Sequence, residues 1–480
     1  MAEEIAGKEK TAGEKLQEKL SFKFKNQWDA IDPELEASSH KFNEDYKQAL
    51  DQGKTEREFH DMAVNRLEAA GFKNLAEVEK LELGDKVYRS VHNKGLLAAI
   101  VGSKAPTEGL LLVGSHTDSP RLDLKPYPLY EQNELALLKT HYYGGIKKYQ
   151  WVSTQLAIHG VVIKQDGSKV EICIGEAEDD PVLTIPDLLP HLGRKQMAKP
   201  AREVVEGEKL NILVGSKPYP EKDLSDRFKL NILSILHDKY GITERDLVTA
   251  ELEVVPAHKA KDVGLDRSFV GAYGQDDRVC AWTSLEALLD AMPQTKTQGI
   301  LFFDKEEVGS DGNTGAQSDL YFFALNELCA KIMGKEPSIL EVQQMLENSK
   351  LLSSDVTAAY DPDYAEVYEP LNSAYCNYGI GINKYTGGGG KGGTTDANAE
   401  YFNEITRLFE KYNIPWQAGE LGKIDEGGGG TIAKFFANAG MNVIDCGVPV
   451  LAMHSCFEVT AKLDVFNTYR AYKIFFEHAE

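Results

Sequence analysis

Nowhere in the 480 residues do two cysteines form a CxxC pair, and the six present (Cys173, Cys280, Cys329, Cys376, Cys446 and Cys456) are too scattered to knit a small disulfide domain. Free thiols in a reducing compartment are expected, which points to the cytoplasm. Long apolar runs are missing too: none reaches the roughly 18 residues of a membrane span. The opening stretch MAEEIAGKEKTAGEKLQEKL mixes both charges where a secretory signal needs an apolar segment. Basic charge is short, since 53 Lys and Arg against 75 Asp and Glu leave a formal charge of −22. Such a field repels phosphate backbones and anionic lipid, so neither nucleic acid nor membrane is expected as a partner. Internal repeats are also absent. What is present is a 42% hydrophobic content, enough to fill at least one large core in a globular chain of two or three domains.

The Lys/Glu-rich first 26 residues read as a solvated segment, helical or frayed, without chemistry. In TEREFHDMAVNRLEAAGF, Thr55 and Glu58 stand at capping-box spacing. Phe59, Met62, Ala63 and Leu67 share a helical face, and Gly71 ends it. GLLLVGSHTDSP, residues 109–120, predicts a buried strand that breaks into a polar loop. Residues 121–255 change character: short strands, a hairpin signal at Asp166-Gly167, prolines and the charged EKDLSDRFK predict an inserted, β-richer domain. Beyond it, Val279, Trp282, Leu285 and Leu288 recur at helical spacing, GILFFD reads as a strand, and SDLYFFALNELCAKIMG as a helix closed by Gly334. The expectation is an α/β domain in two parts, 1–120 and 256–480, with a mixed, largely parallel sheet and helices on both faces.

Loops at the carboxyl ends of such strands converge on a crevice. Five segments fit that position: GSHTDSP with His116 and Asp118, GQDDR with Asp276 and Asp277, FFDKEEVGS with Glu306 and Glu307, SSDVTAAYDPDY with Asp355, and VLAMHSC with His454. Singly, each has an ordinary explanation: His116 as a loop histidine, Asp276 as a helix cap, the glutamate pair as a solvated strand end. Together, two imidazoles and several carboxylates form the donor set that a pair of divalent ions requires. Neighbours on extended backbone point in different directions, so one glutamate can hold metal while the other handles protons. Asp118, two residues from His116, can accept the second imidazole N–H and fix its tautomer.

This ordered series resembles the aminopeptidase I / aspartyl aminopeptidase family of di-zinc metallopeptidases, from about residue 110 to the C-terminus. The resemblance implies that His116 and Asp355 bind one metal, Glu307 and His454 the other, and that Asp276 bridges them. It makes Glu306 the general base and later acid, and Asp118 the partner of His116. It further implies a phosphorylase/hydrolase-like fold interrupted by a β-rich dimerisation domain, peptide substrates cleaved by a metal-bridged hydroxide, and a homo-oligomer, a tetrahedral dodecamer built from dimers. By the same resemblance His191, in IPDLLPHLGR, reaches a neighbouring subunit's active site, and Lys384, in GINKYTGGG, lies near the substrate. Two Zn2+ are the expected ions, although Co2+ and Mn2+ tolerate such nitrogen and oxygen ligands. A di-metal deacylase or carboxypeptidase, or an inactive self-assembling or cargo protein that keeps the fold, stand as alternatives, and the preferred first residue, acidic or neutral aliphatic, stays open.

Two glycine runs invite further readings. GGGGKGG, residues 387–393, fails as a phosphate loop because Gly392 follows Lys391 where a Ser or Thr must reach magnesium, so a flexible loop is expected. IDEGGGGTIAKFFANAG, residues 424–440, opens a helical pattern at Thr431, either to hold an oxyanion on its N–H groups or as a plain loop-to-helix joint. His40, His60, His92, His237, His258 and His478 lack converging partners and read as structural, while His141 and His159 lie within the insertion.

Overall fold

Leu111 and Val113 point into one buried layer and Leu112 into another; Ile300 and Phe302 likewise oppose Leu301 and Phe303. A strand buried on both faces needs helices on both faces. The computed structural model, which describes residues 10–480, supplies them. One layer is built with Pro33–Gln52, Glu56–Ala69, Gln275–Asp290, Ala399–Lys411 and Lys462–His478, the other with Asp319–Met333, Ile339–Asn348 and Ala433–Asn438. Phe303 is fully buried between strand and helix, and truncating such a side chain to alanine costs about 3–5 kcal/mol.

Between the layers lies a nine-stranded mixed sheet. Its four central strands, Gln298–Phe303, Leu111–His116, Lys350–Ser353 and Asn442–Gly447, are mutually parallel, so their carboxyl ends open on the same side. Antiparallel neighbours, Gly95–Ile100 and Ile380–Asn383, flank them. Local signals agree with this frame. Thr55 and Glu58 make the reciprocal capping box that starts the helix Glu56–Ala69, and Gly334, at φ +66°, ends Asp319–Met333. The N-terminal expectation is met by a helix at Ala12–Leu20 that buries nothing; residues 1–9 lie outside the described residues.

A second, all-antiparallel sheet of six strands runs from Arg121–Gln132 to Glu251–Pro256, with its own apolar core around Leu122, Trp151 and Val254. The hairpin at Asp166-Gly167 joins Leu156–Ile163 to Lys169–Ile174 within it. An ionic joint ties this sheet to the helical layer: Glu176 takes Lys54 and Lys259, each at 2.6 Å, and His159 at 3.2 Å. His159 is thus buried in a charge cluster. A third sheet, of five short strands, holds Phe269–Ala272, Glu458–Ala461, Pro449–Leu451 and Thr357–Ala358, and gathers the loops that precede or follow them. Among the described residues no helix is long and apolar enough to cross a membrane.

Candidate metal centre

His116 is the last residue of the strand Leu111–His116, and its neighbouring parallel strands deliver Glu306 and Glu307 just past Phe303 and Asp355 just past Ser353. Asp276 follows Gly274, which sits at φ +69° and whose absent Cβ would lie 1.5 Å from the buried Arg278 guanidinium, so only glycine fits there. Gly447 admits the main chain of Asp355, whose carbonyl oxygen would be 2.0 Å from any Cβ at that position. These close approaches draw the loops onto one point.

Asp276 stands at the middle. One carboxylate oxygen, Oδ1, is 3.2 Å from His116 Nε2, and the other, Oδ2, is 3.1 Å from His454 Nε2. Asp355 Oδ1 lies 4.0 Å from His116 Nε2, and Glu307 Oε1 lies 3.3 Å from His454 Nε2. The donor atoms of His116, Asp276 and Glu307 fall within 4.8 Å of one another, as do those of His116, Asp277 and Asp355. Each imidazole is turned by a bond at its far nitrogen. His116 Nδ1 is 3.0 Å from the Asp118 carbonyl oxygen, and His454 Nδ1 is 3.1 Å from that of Gly145.

The electrostatics describe a site short of positive charge. Asp118, Asp276, Asp277, Glu306, Glu307, Asp355 and Glu458 lie close enough to two imidazoles for their charges to interact. Burial drives the carboxyl groups of Glu307, Asp277 and Asp355 well above their ordinary range, and nearby carboxylates add to the shift. Burial lifts Glu306 to about 7, against the pull of His116. Burial opposes charge on both histidines, but contact with Asp118 and Asp276 holds His116 well above its usual value, and Asp276 and Glu307 push His454 up to about 10. Asp276 Oδ1, Asp277 Oδ1 and Glu307 Oε1 are buried without any hydrogen-bond donor. Orphaned carboxyl oxygens beside imidazole nitrogens, a set that a bound cation would hold deprotonated, fit divalent cations of the zinc type.

One expectation is corrected here. Glu306 and Glu307 do not lie on extended backbone: Lys305 turns at φ +69° and Glu306–Val308 form a 3-10 turn, whose rotation separates the two side chains. The expected Asp118 partner is in place: its Oδ1 lies 3.3 Å from His116 Nδ1, beside its own main-chain carbonyl at 3.0 Å. Oδ1 accepts the Glu306 N–H at 3.1 Å, while Oδ2 accepts the Glu307 N–H at 3.2 Å and the Tyr143 hydroxyl at 2.7 Å. Asp276 is no helix cap, since its ψ of 110° breaks the helix and its side chain faces the imidazoles.

Other expected residues lie elsewhere. His191 is exposed in the turn before Arg194–Met197, and among the described residues it makes no hydrogen bond to the centre. Lys384 is half exposed just past Ile380–Asn383, with its Nζ 3.9 Å from Asp396. The second glycine run leads into a helix of only six residues, Ala433–Asn438, and the N–H of Gly429 is spent on the Thr386 carbonyl. Cys280 and Cys456 are buried and free. Sequence reasoning named Asp277 without giving it a role, and passed over Tyr143, Gly145 and Glu458. Asp277 was adjacent to a chosen residue; the other three carry no local signal, and only the packing of the second and third sheets brings them in.

Comparison with known proteins agrees with this geometry. Residues 49–476 match the family described as aminopeptidase I zinc metalloprotease (M18). A probable M18 family aminopeptidase 1 of Clostridium acetobutylicum is 47% identical over 456 residues, covering 94% of this chain and 98% of that protein. The corresponding Thermotoga maritima protein is 46% identical over 436 residues, covering 91% and 95%. The crystal structure of an M18 aminopeptidase from Thermotoga maritima superposes with a TM-score of 0.91 at 44% identity, covering 95% of this chain and all of that one. That of aminopeptidase I from Clostridium acetobutylicum gives 0.90 at 45% identity, covering 96% of this chain and all of its own. The S. cerevisiae mApe1 dodecamer shares the fold, at a TM-score of 0.73 and 22% identity over 92% of this chain and 96% of its own.

Proposed function

The chain belongs to the M18 family of zinc metallo-aminopeptidases, and we propose that it releases N-terminal residues from peptides at a two-ion site with Glu306 as the proton carrier. The observation that carries this reading is the double-faced Asp276 carboxylate, with one oxygen toward each imidazole. His116 and Asp355 would hold one ion, His454 and Glu307 the other, and Asp276 both, while Asp277 accepts the His116 main-chain N–H at 3.2 Å. Polarisation of the scissile carbonyl and a lowered pKa for attacking water are what two such ions supply when bound.

The chain's own groups do the rest. The Glu306 carboxyl, close enough to feel His116, Asp118, Asp276 and His454 together, takes a proton from the attacking water and returns it to the departing amine. Asp118 holds the main chain of that turn still through two N–H bonds. Lys384 would contact the substrate, either through an acidic first side chain or through the peptide backbone.

Residues 121–255 would serve as the assembly and lid module, and His191 would act across a subunit boundary. Supporting this, Leu188, Leu189, Leu192 and Met197 around His191 are all exposed in the single chain, an apolar arm that suits burial against another copy. A dodecamer is the assembly proposed, and the six free thiols suit a cytoplasmic setting. Two measurements test the whole. Metal analysis should return two ions per chain, and acetylating the α-amine of an aminoacyl substrate should abolish release. A deacylase would tolerate the acetyl group, and a chain without bound metal or turnover would be the inactive assembly protein.

A further inference from the structure

Glu458 lies four residues beyond His454, at the start of the strand Glu458–Ala461, where it pairs with Ala272. Its side chain is 1% exposed, an unusual place for a carboxylate. Each oxygen is committed to a main-chain N–H from a different part of the chain. Oε1 accepts from His454 at 2.7 Å, and Oε2 accepts from Asp276 at 3.0 Å. The Glu458 carbonyl is itself held by Gln275 Nε2 at 2.7 Å, and Gln275 Oε1 in turn accepts from the Thr460 and Tyr46 hydroxyls.

Both N–H donors sit on irregular backbone. His454 is held at φ +64°, a left-handed conformation uncommon for a residue with a side chain, and Asp276 interrupts its helix at ψ 110°. Asp276 departs from helical geometry, and His454 lies in the turn that the Ser455 N–H closes on the Ala452 carbonyl at 3.0 Å, but neither local feature links the two segments to each other. A single rigid carboxylate spanning both is what fixes the Asp276 and His454 main chains relative to each other, and their side chains then meet at 3.1 Å. We infer that Glu458 is a positioning residue for the metal shared by Asp276 and His454: it ties the two ligand-bearing loops together and contacts neither substrate nor cation. This rests on the two-ion reading above.

Glutamine has nearly the same volume, yet only one of its two terminal atoms can accept, and its NH2 would be set against an N–H donor. Glu458→Gln therefore separates positioning from packing. The test starts from the assembled enzyme, stripped with a chelator and titrated with Zn2+ against a chromophoric competitor, with Co2+ absorption recorded in parallel. The parent should bind two ions. Glu458→Gln should bind one as before and the other about 10- to 100-fold more weakly. Its Co2+ spectrum should change, and its kcat should fall with little change in KM and recover at high Zn2+. Thr460→Val, which removes one bond to Gln275 and leaves the carboxylate alone, serves as the stability control: it should lower the melting temperature without changing either affinity. Should Glu458→Gln fail to fold, Glu458→Asp, too short to span both donors, replaces it with the same expectation. Unchanged Zn2+ affinity at both sites in a folded Glu458 variant would overturn the inference, as would an equal loss of affinity in Thr460→Val. If the parent binds a single ion, the two-ion reading fails on its own, and Glu458 is then judged by whether that ion is weakened.

Discussion

Asp118 accepts the main-chain N–H of Glu306 at 3.1 Å, so the second residue after one imidazole anchors the turn that carries the proposed proton shuttle. Its other oxygen takes Glu307 and Tyr143. Asp118→Asn sets an amide NH2 against one or more of those donors and lets the turn drift. Because misplacement of a reacting group by about 1 Å costs around 100-fold, kcat should fall by about that factor while KM stays within a few fold. Steady-state kinetics at measured zinc content decide it, and a rise in KM alone would contradict the anchoring role.

Glu306 and Glu307 should respond differently to substitution. Glu306→Gln leaves the donor set intact, so metal content should match the parent while turnover falls by about 100-fold or more, the lower range of general acid–base contributions. Glu307→Ala removes an oxygen 3.3 Å from His454, and one ion should be lost along with activity. Atomic absorption on both variants provides the comparison, and like behaviour would refute the division of labour.

Tyr143 reaches the centre from the six-stranded sheet and bonds Asp118 at 2.7 Å, while the Arg121 guanidinium lies over its ring. A hydrogen bond to a charged group is worth about 1.5–3 kcal/mol. Tyr143→Phe should therefore slow turnover. Combined with Asp118→Asn it should add little further loss, since both remove the same contact. Additive effects in a double-mutant cycle would mean that the two residues act separately.

Acid stability should depend on the joint at Glu176. Burial opposes its charge, but His159, Lys54 and Lys259 outweigh burial and bring the carboxyl down to about 2. A folded-state value below the unfolded one gives stabilisation that is complete above the unfolded pKa of about 4.5 and lost as pH falls toward the folded value. Glu176→Gln removes that term. Discounted for solvent screening, it should cost on the order of 1–2 kcal/mol at neutral pH. The variant's melting temperature should fall less steeply than the parent's between about pH 4.5 and 2. A parallel offset at all pH values would show that packing alone was lost.

Much of the catalytic frame could be read from residue type and spacing. The unbroken apolar runs GLLLVG and GILFF, and the cap at Thr55, depend on near neighbours, so a single sequence reveals them. The proposed metal-facing set was legible because His, Asp and Glu at strand ends are chemically conspicuous. Glu458, Tyr143 and Gly145 were not, for a physical reason: their roles are main-chain bonds or a hydroxyl contact made across sheets, and such bonds leave no pattern in side-chain chemistry. The backbone of Glu306 and Glu307 was misjudged because the left-handed step at Lys305 uses a residue with no turn preference, where glycine or asparagine would have signalled it.

The carbonyl of Gly145, resting 3.1 Å from His454, joins parts of the polypeptide that leave the ribosome far apart in time. Everything up to Glu307 is synthesised while the partner of that carbonyl is still untranslated. On the proposed two-ion reading, the site therefore gains its second imidazole only once the loop bearing His454 has emerged.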